Sequence, residues 1–337
     1  MTELGIGGPE GEPDLSHWGS LVTSRLKLEL DFLTSRHPSI IETVSRLADA
    51  DSSVTSPYRL LPFAVAGALS RDENSAVPVA VLSRMWWLGA EVFDDLNDGK
   101  QPPEGPALSR SQATVVSTAC LTALPSLIIK KLDVPEDLKR AWEQEYAEST
   151  LAAAESQFDD VSRREIRSWS DVMKIYAGKS GAPYGRDTAL AAQSAGADES
   201  TTHSWRVFGR LFGVLRQLAN DRAYADARED EDLINGTWTL LQALAMEKLG
   251  PRQREELRAL RLRALDSPSA RLYVMECLRS AEVAGPYNRR LGALRSKLSR
   301  LNELLTEPSE HRDIIQWMID ESTANAFLTV STAEELG

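Results

Sequence analysis

Two acidic motifs contain the residues of this sequence that are best suited to chemistry. The first contains Asp94, Asp95 and Asp98, and the second contains Asn220 and Asp221. Each motif follows an apolar run with helical periodicity, where an unpaired carboxylate is costly to bury. Clustered carboxylates at such a position need a cation, and their oxygen ligands suit Mg²⁺. Two such clusters facing each other would suit several Mg²⁺ ions and a diphosphate, the arrangement needed to ionise an allylic diphosphate.

The spacing of the first motif suits a metal ion if the segment is helical. Residues four positions apart share one face of a helix, so Asp94 and Asp98 can converge on one ion. Asp95 pairs in the same way with Glu91. An acidic helix end is also a common solvated feature of proteins, and the first motif alone does not separate the two interpretations.

Helices are predicted to position both motifs. Good helix formers dominate the 337 residues, and the alternation typical of strands is scarce. Turn signals divide the chain into successive helices, among them Pro135, the pair Ser267-Pro268 and the pair Gly285-Pro286. We therefore predict one all-α bundle, with a flexible tail over residues 1–17 and a single domain over residues 18–337.

The composition excludes several classes of partner. The formal net charge of −12 disfavours nucleic acid and anionic membranes, since both partners are polyanions. We see no apolar run of roughly 18 residues and expect no stable membrane insertion. The two cysteines, Cys120 and Cys277, lack metal-ligand spacing and fit a reducing cytoplasm. We therefore expect a cytoplasmic protein whose partner is a small molecule.

The second motif lies in a segment with a specific order of residues. The segment contains Gly209, Gly213, Gln217, Asn220, Asp221, Asp232, Leu233, Gly236, Thr239 and Leu240. Upstream stand Tyr176-Ala-Gly-Lys-Ser-Gly181 and Ala153-Ala-Glu-Ser-Gln-Phe-Asp159. This order resembles the trans-isoprenyl diphosphate synthases and their terpene-cyclase relatives, which follow G-x-x-x-G-x-x-x-Q-x-x-D-D-x-x-D with a later D-L-x-x-G-K-x-T-L. The resemblance covers roughly residues 40 to 245.

The resemblance implies an all-α isoprenoid-synthase bundle with two acidic helices facing each other across a central cavity. Mg²⁺, expected as three ions, would be held by the three aspartates of the first motif and by Asn220 and Asp221 of the second. Lys179 would grip the diphosphate of an allylic prenyl substrate as a point charge, and Ser180 would lie beside it. Gln217 would lie near the metal ions or the developing cation. The resemblance also implies a homodimer.

Several departures from the family fall on groups that bind isopentenyl diphosphate in elongating synthases. Their early G-G-K-R-x-R-P stretch is matched by Ser56-Pro-Tyr-Arg-Leu-Leu-Pro62, in which only Arg59 is basic. Trp87 stands where those synthases carry a histidine, and only Lys100 is basic near the position of their Arg-Arg-Gly. Because the first metal motif is kept while these cations are lost, the sequence favours an enzyme that ionises one allylic diphosphate and guides its cation alone.

The second metal motif is less complete than the first. Asn220 and Asp221 match the start of the N-D-x-x-S-x-x-x-E motif of terpene cyclases, but Tyr224 and Arg228 replace its Ser and Glu. Thr237 replaces the lysine of the later G-K-x-T-L stretch. Acidic residues that follow the motif are candidates to complete the site: Asp226, Glu229 and Asp230.

Small residues before the first motif predict a long hydrocarbon pocket. Ala90 and Gly89 stand four and five positions before Asp94, where family members set product length with bulky side chains. We therefore expect a prenyl chain of C15 to C25, with C20 favoured. Trp86 and Trp87 could stabilise a passing carbocation by cation–π attraction, or could simply pack in the core.

Three functions remain open from the sequence. The favoured one is a class I terpene synthase that acts on a single allylic diphosphate. The second is a trans-prenyltransferase, either elongating with isopentenyl diphosphate held by Arg59 and Lys100 or using an uncharged acceptor. The third is a non-catalytic partner subunit of a prenyl diphosphate synthase, and the intact aspartates of the first motif count against it.

Overall fold

The protein is helical throughout the part of the chain that its computed structural model describes. The described residues are 12–50, 56–98, 108–162, 168–224 and 230–329, without the side chains of residues 98, 223, 224 and 231. The α-helices are α1 (Ser16–Thr34), α2 (Pro38–Ala50), α3 (Leu61–Ser70), α4 (Val77–Asp98), α5 (Arg110–Thr118), α6 (Leu124–Lys131), α7 (Glu136–Val161), α8 (Trp169–Tyr176), α9 (Ala182–Ser194), α10 (Glu199–Tyr224), α11 (Glu231–Asn235), α12 (Leu240–Lys248), α13 (Pro251–Ala264), α14 (Pro268–Leu278), α15 (Ala281–Leu305) and α16 (Glu310–Ala326). The all-α prediction is confirmed.

Local sequence signals account for many helix starts. Ser109 and Ser168 each form a capping box with the residue three positions later, which satisfies backbone N–H groups that a helix start leaves without partners. Helix α14 begins with proline at its first position, where the missing N–H costs nothing. Helix α7 begins directly after Pro135, and α14 begins at Pro268, so both predicted boundaries are confirmed.

One boundary prediction was wrong. Gly285-Pro286 does not separate two helices, because α15 continues through Pro286 to Leu305. Pro286 lies in the second turn, where it removes one early backbone hydrogen bond, while the same helix buries apolar side chains that include Tyr287 and Leu291. At the amino terminus the helix begins at Ser16, and Leu15 is already buried. Residues 1–11 of the predicted tail lie outside the described residues.

The chain divides into two compact units, each with its own core. Unit 1 comprises Met1–Thr150, Arg186–Arg206 and Leu305–Trp317, and unit 2 comprises Leu151–Gly185, Val207–Leu304 and Met318–Gly337. In unit 1, α4 packs against α1, α3, α5 and α6 and presents the first acidic motif at its carboxyl end. In unit 2, α8 packs against α12, and the last turns of α10 carry the second motif. The prediction of a single domain stays a prediction.

Two helical stretches are long and apolar enough to be considered as membrane spans. They are Glu73–Asn97 and Arg110–Lys131, and 67% and 44% of their most apolar windows are buried within the protein. Core helices of globular proteins meet the same criterion, so that these stretches are weak evidence for a membrane location. The expectation that no such stretch exists was too strict.

Candidate active site

The first acidic motif lies in the last turns of α4. Asp94 and Asp95 are half-buried there, and the side chain of Asp98 lies outside the described part of the structure. The carboxyl end of a helix carries a partial negative charge, so further carboxylates at this end are unfavourable without a cation. The position of Asp94 and Asp95 therefore suits a metal ion better than an isolated surface role.

Arg59 is held beside this motif by two contacts within unit 1. Its Nη2 donates to Glu91 Oε1 at 2.8 Å, and its guanidinium carbon lies 3.6 Å from the ring centroid of Trp87. Its Nη1 is buried and has no hydrogen-bond partner among the described residues. Arg59 is thus largely neutralised by Glu91, and it covers a face of Trp87.

Trp86 and Gly89 have packing roles in unit 1. Trp86 is buried and donates from Nε1 to Thr150 Oγ1 at 3.0 Å, as expected of a core tryptophan. A Cβ atom on Gly89 would lie 2.8 Å from the Cβ of Cys120. Close packing between α4 and the neighbouring helical segment therefore accounts for this glycine. The roles predicted for Gly89, Ala90, Trp86 and Trp87 in substrate length or cation stabilisation stay predictions.

Lys179 and Ser180 lie on a π-helical segment, Ala177–Gly181, that joins α8 to α9. Such segments are rare and occur frequently at functional sites. The segment is a local widening of a helix. Lys179 Nζ lies 3.5 Å from Asp160 Oδ2 of α7, and both side chains are mostly buried.

Gly213 allows this segment to lie directly against α10. A Cβ on Gly213 would overlap the carbonyl oxygen of Ser180 and lie 2.7 Å from its carbonyl carbon and 2.8 Å from the Cα of Gly181. Those are backbone atoms, so a side chain could not be accommodated by a rotamer change. The glycine of the sequence pattern is explained by this close approach, which brings Ser180 to the motif on α10.

A chain of hydrogen bonds connects the predicted site residues of unit 2. Ser180 Oγ donates to Gln217 Oε1 at 2.7 Å, and Gln217 Nε2 donates to Asp221 Oδ1 at 3.0 Å. Tyr176 Oη donates to the other carboxylate oxygen of Asp221. Tyr176 Oη also accepts from the backbone N–H of Leu240 at 3.2 Å. Both oxygens of Asp221 are therefore fixed by protein groups.

Burial sets the protonation of this cluster. Desolvation raises the pKa of Asp221 to about 7, although the hydrogen bonds from Tyr176 and Gln217 and the charge of Lys179 lower it. Burial and the neighbouring carboxylates of Asp221 and Asp230 raise the pKa of Asp232. Burial and Asp221 also raise the pKa of Tyr176. Burial therefore disfavours the ionised forms of these three groups.

These residues fit a divalent metal ion that is shared with a ligand. The carboxylate of Asp221 disfavours the ionised form of Asp232, a situation that a cation would relieve. Among the described residues no group of three or more acidic, His or Cys side chains forms a closed ligand set. Mg²⁺ commonly binds through one or two carboxylates together with water and substrate phosphates, so an open set is what it requires.

The structure brings together four of the predicted residues, namely Lys179, Ser180, Gln217 and Asp221. Asn220 precedes Asp221 but is exposed, and its role as a metal ligand stays a prediction. Ser180 is buried and donates a hydrogen bond to Gln217, which it holds in place. Contact between Ser180 and the substrate stays a prediction. Of the residues proposed to complete the site, Asp226 and Glu229 lie outside the described residues.

Sequence reasoning missed three members of the cluster. Asp160 pairs with Lys179, and it stands three residues after Gln157, whereas the motif was assigned as far as Asp159. Asp232 was predicted as part of a pattern but not as a site residue. Tyr176 begins the motif that ends at Gly181, but its contact with Asp221 was not predicted, because that contact depends on how α8 and α10 pack.

Comparison with solved structures identifies the fold. Geranylgeranyl pyrophosphate synthase from Corynebacterium glutamicum, complexed with isoprenyl diphosphate and magnesium, is 16% identical with a TM-score of 0.77, covering 93% of this chain and 99% of that one. Polyprenyl synthase from Caulobacter crescentus CB15, complexed with calcium and isoprenyl diphosphate, is 18% identical with a TM-score of 0.75, covering 92% and 94%. Geranylgeranyl pyrophosphate synthetase from Pyrococcus horikoshii Ot3 is 15% identical with a TM-score of 0.73, covering 91% and 98%.

The sequence itself matches no protein-family model and no curated protein. The structural similarity extends over nearly the whole length of both chains in each comparison. It agrees with the resemblance that the motifs indicated, although the sequence identity is low. The chain therefore has the all-α isoprenoid-synthase fold of the trans-prenyl diphosphate synthases.

Proposed function

We propose that this chain is a metal-dependent isoprenoid synthase that ionises an allylic prenyl diphosphate and transfers the prenyl group to an acceptor. The observation that carries the proposal is the hydrogen-bonded series Ser180–Gln217–Asp221, with the charge of Lys179 acting on Asp221, in a chain with this fold. Lys179 supplies a cation for a diphosphate, and Asp221 supplies a carboxylate for a metal ion.

Prenyl transfer is supported by the comparisons more than the terpene synthase that the sequence favoured. The compared proteins are named as geranylgeranyl or polyprenyl synthases, and two of their structures contain isoprenyl diphosphate with magnesium or calcium. We therefore infer that the acceptor is isopentenyl diphosphate and that the product is a longer diphosphate. A homodimer in the cytoplasm and a C15 to C25 prenyl chain remain predictions.

In the proposed reaction, the bond between C1 of the prenyl chain and the diphosphate oxygen breaks, and its electron pair leaves with the diphosphate. Lys179 would donate hydrogen bonds to the leaving oxygens and oppose their developing charge. Mg²⁺ held by Asp221 would act on those oxygens as a Lewis acid. Asp94 and Asp95 of unit 1 are proposed as Mg²⁺ ligands in their own right. A new bond then forms between C1 and the double bond of the acceptor, which loses a proton to the released diphosphate.

Arg59 favours a second candidate, the single-substrate terpene synthase. Arg59 is the one cation kept from the early basic stretch of elongating synthases, and it is already paired with Glu91 and stacked on Trp87. A second diphosphate would have to compete with Glu91 for this guanidinium. An enzyme that quenches its cation by proton loss or by water needs no such cation.

A product assay with and without isopentenyl diphosphate separates the two candidates. The C10, C15, C20 and C25 allylic diphosphates are each supplied with Mg²⁺ to the wild type and to Arg59→Ala. For the prenyltransferase we expect a longer diphosphate only with isopentenyl diphosphate, and a KM for that acceptor raised at least about tenfold in Arg59→Ala by loss of about 1.4 kcal/mol or more of charge-assisted binding. The KM for the allylic substrate should stay unchanged.

Arg36→Ala is the matched control, because Arg36 is an exposed arginine in the turn between α1 and α2. It should behave as the wild type. The opposite result is a hydrocarbon or alcohol formed from one allylic diphosphate alone, with equal yield in Arg59→Ala. That result would contradict prenyl transfer and support the terpene synthase reaction.

A further inference from the structure

Tyr176 occupies a position in unit 2 that the reaction proposed above does not use. It is the last residue of α8, it is buried, and it directly precedes the π-helical segment that carries Lys179. Its hydroxyl group makes two hydrogen bonds, donating to Asp221 Oδ2 and accepting from the backbone N–H of Leu240. Its donor and one of its acceptor positions are therefore used.

These two bonds connect three helices at one atom. Leu240 is the first residue of α12, where the backbone N–H has no partner within its own helix. Asp221 lies on α10, and Tyr176 itself lies on α8. The orientation of the Asp221 carboxylate is therefore tied to the packing of α8 and α12 as well as to its own helix.

The bonds to Asp221 leave room for a metal ion. An ionised carboxylate has about four lone-pair positions, and Tyr176 and Gln217 use one on each oxygen. The remaining positions accept no hydrogen bond from the described residues, and their directions are fixed because both oxygens are held. Partners of this kind orient metal-binding carboxylates, and their loss typically weakens metal binding by about 10-fold to 100-fold.

We propose that Tyr176 is a positioning residue that orients the Asp221 carboxylate for a divalent metal ion. The inference rests on the proposed function, since it takes Asp221 as a metal ligand. Tyr176 acts through Asp221 and has no contact with substrate in this role. Gln217 is its counterpart on the other carboxylate oxygen.

The test measures binding of Mn²⁺ in the presence of inorganic diphosphate, by electron paramagnetic resonance, without turnover. Tyr176→Phe keeps the ring and removes only the hydroxyl group. We expect its dissociation constant for Mn²⁺ to rise at least about tenfold, and kcat at saturating metal to fall less than the metal affinity does. In an Asp221→Asn background, Tyr176→Phe should cause no further loss, because the group through which it acts is absent.

Two control variants separate positioning from a general loss of structure. Thr239→Ala removes the side-chain cap of the same helix α12, in which Thr239 Oγ1 accepts from the Gln242 backbone N–H, and it leaves both hydrogen bonds of Asp221 in place. Tyr146→Phe removes the hydroxyl group of another buried tyrosine, which has no hydrogen-bond partner among the described residues. Both should bind Mn²⁺ as the wild type does, even if Thr239→Ala melts at a lower temperature.

Three results would overturn the inference. The first is an unchanged Mn²⁺ affinity in folded Tyr176→Phe, and the second is an equal loss in Thr239→Ala, which would assign the effect to the start of α12. The third is a full loss caused by Tyr176→Phe in the Asp221→Asn background. Failure of the wild type itself to bind Mn²⁺ with diphosphate would instead reject the proposed function.

Discussion

At the scale of single residues, burial controls the acidity of the Cys120 thiol. Cys120 is fully buried against Gly89, and burial raises the pKa of its thiol to about 12. Between about pH 8.5 and that value the unfolded chain loses this proton and the folded chain keeps it. Stability should therefore fall as the pH rises through this range, because the native state binds more protons there.

Thiol labelling tests this placement of Cys120. In the Cys277→Ser variant Cys120 is the single thiol, and we expect a disulfide reagent at pH 8 to label it only as fast as the protein unfolds. The wild type should show one additional faster thiol, since Cys277 is half-exposed. Rapid labelling of native Cys277→Ser would show that α4 and the segment containing Cys120 are not packed as described.

At this scale, the site residues that could be predicted from the sequence are those that stand in a motif. Residues that join the site only through their contacts in the fold could not be predicted. Lys179, Gln217 and Asp221 could be predicted, because each stands at a fixed spacing within a motif. Tyr176 could not, since a tyrosine at the end of an apolar helix is ordinary until the packing places Asp221 beside it. Gly89 was interpreted as space for substrate, which stays a prediction, and the close contact of α4 with Cys120 at this glycine could not be read from the sequence.

At the scale of elements, the contact between the π-helical segment and α10 sets the geometry of the cluster. Gly213→Ala would drive a methyl group into the backbone of Ser180 and Gly181. We expect a loss of about 1–3 kcal/mol in the free energy of unfolding, as for other overpacked sites. Activity should fall further than stability alone explains, because Ser180 holds Gln217.

Gly292→Ala is the matched control, measured by urea unfolding alongside Gly213→Ala. Gly292 lies in the interior of α15, and apart from the backbone of its own helix no atom of the described residues lies within 4 Å of the position that a methyl group would take there. Its substitution should stabilise the protein by up to about 1 kcal/mol through helix propensity. Equal effects of the two substitutions would mean that Gly213 does not mark a close contact.

The sequence predicted that one helix follows another, but it predicted only some of the points at which a helix ends. Caps and prolines such as Ser168 and Pro268 mark helix starts because they satisfy or remove backbone donors locally. Pro286 is a local signal of the same kind, yet burial along α15 outweighs it. The stretch from Gly178 to Pro183 was predicted to kink or divide a helix, since glycines in sequence do not distinguish these outcomes from the π-helical turn at Ala177–Gly181.

At the scale of the whole molecule, ligand binding should stabilise the fold only when metal and diphosphate are present together. The acidic clusters repel a diphosphate alone, and the net charge of −12 adds to that repulsion. A ligand at 100 times its dissociation constant stabilises by about 2.7 kcal/mol, which corresponds to a rise in Tm of several degrees.

Thermal unfolding with inorganic diphosphate tests this coupling. We expect the rise in Tm with Mg²⁺ and diphosphate together, and little change with Mg²⁺ alone or with diphosphate and a chelator. Asp94→Asn should reduce the shift. An equal rise with diphosphate in the presence of a chelator would argue for a purely cationic anion site around Lys179.

The central claim is that this chain ionises an allylic diphosphate with the help of a divalent metal ion. The most direct measurement is release of inorganic diphosphate from C10, C15, C20 and C25 allylic diphosphates, each with and without isopentenyl diphosphate. We expect Mg²⁺-dependent release from at least one substrate, with a loss of about 100-fold or more in kcat/KM for Asp94→Asn and for Lys179→Ala. No release from any substrate with folded wild-type protein would contradict this claim and favour a non-catalytic partner subunit.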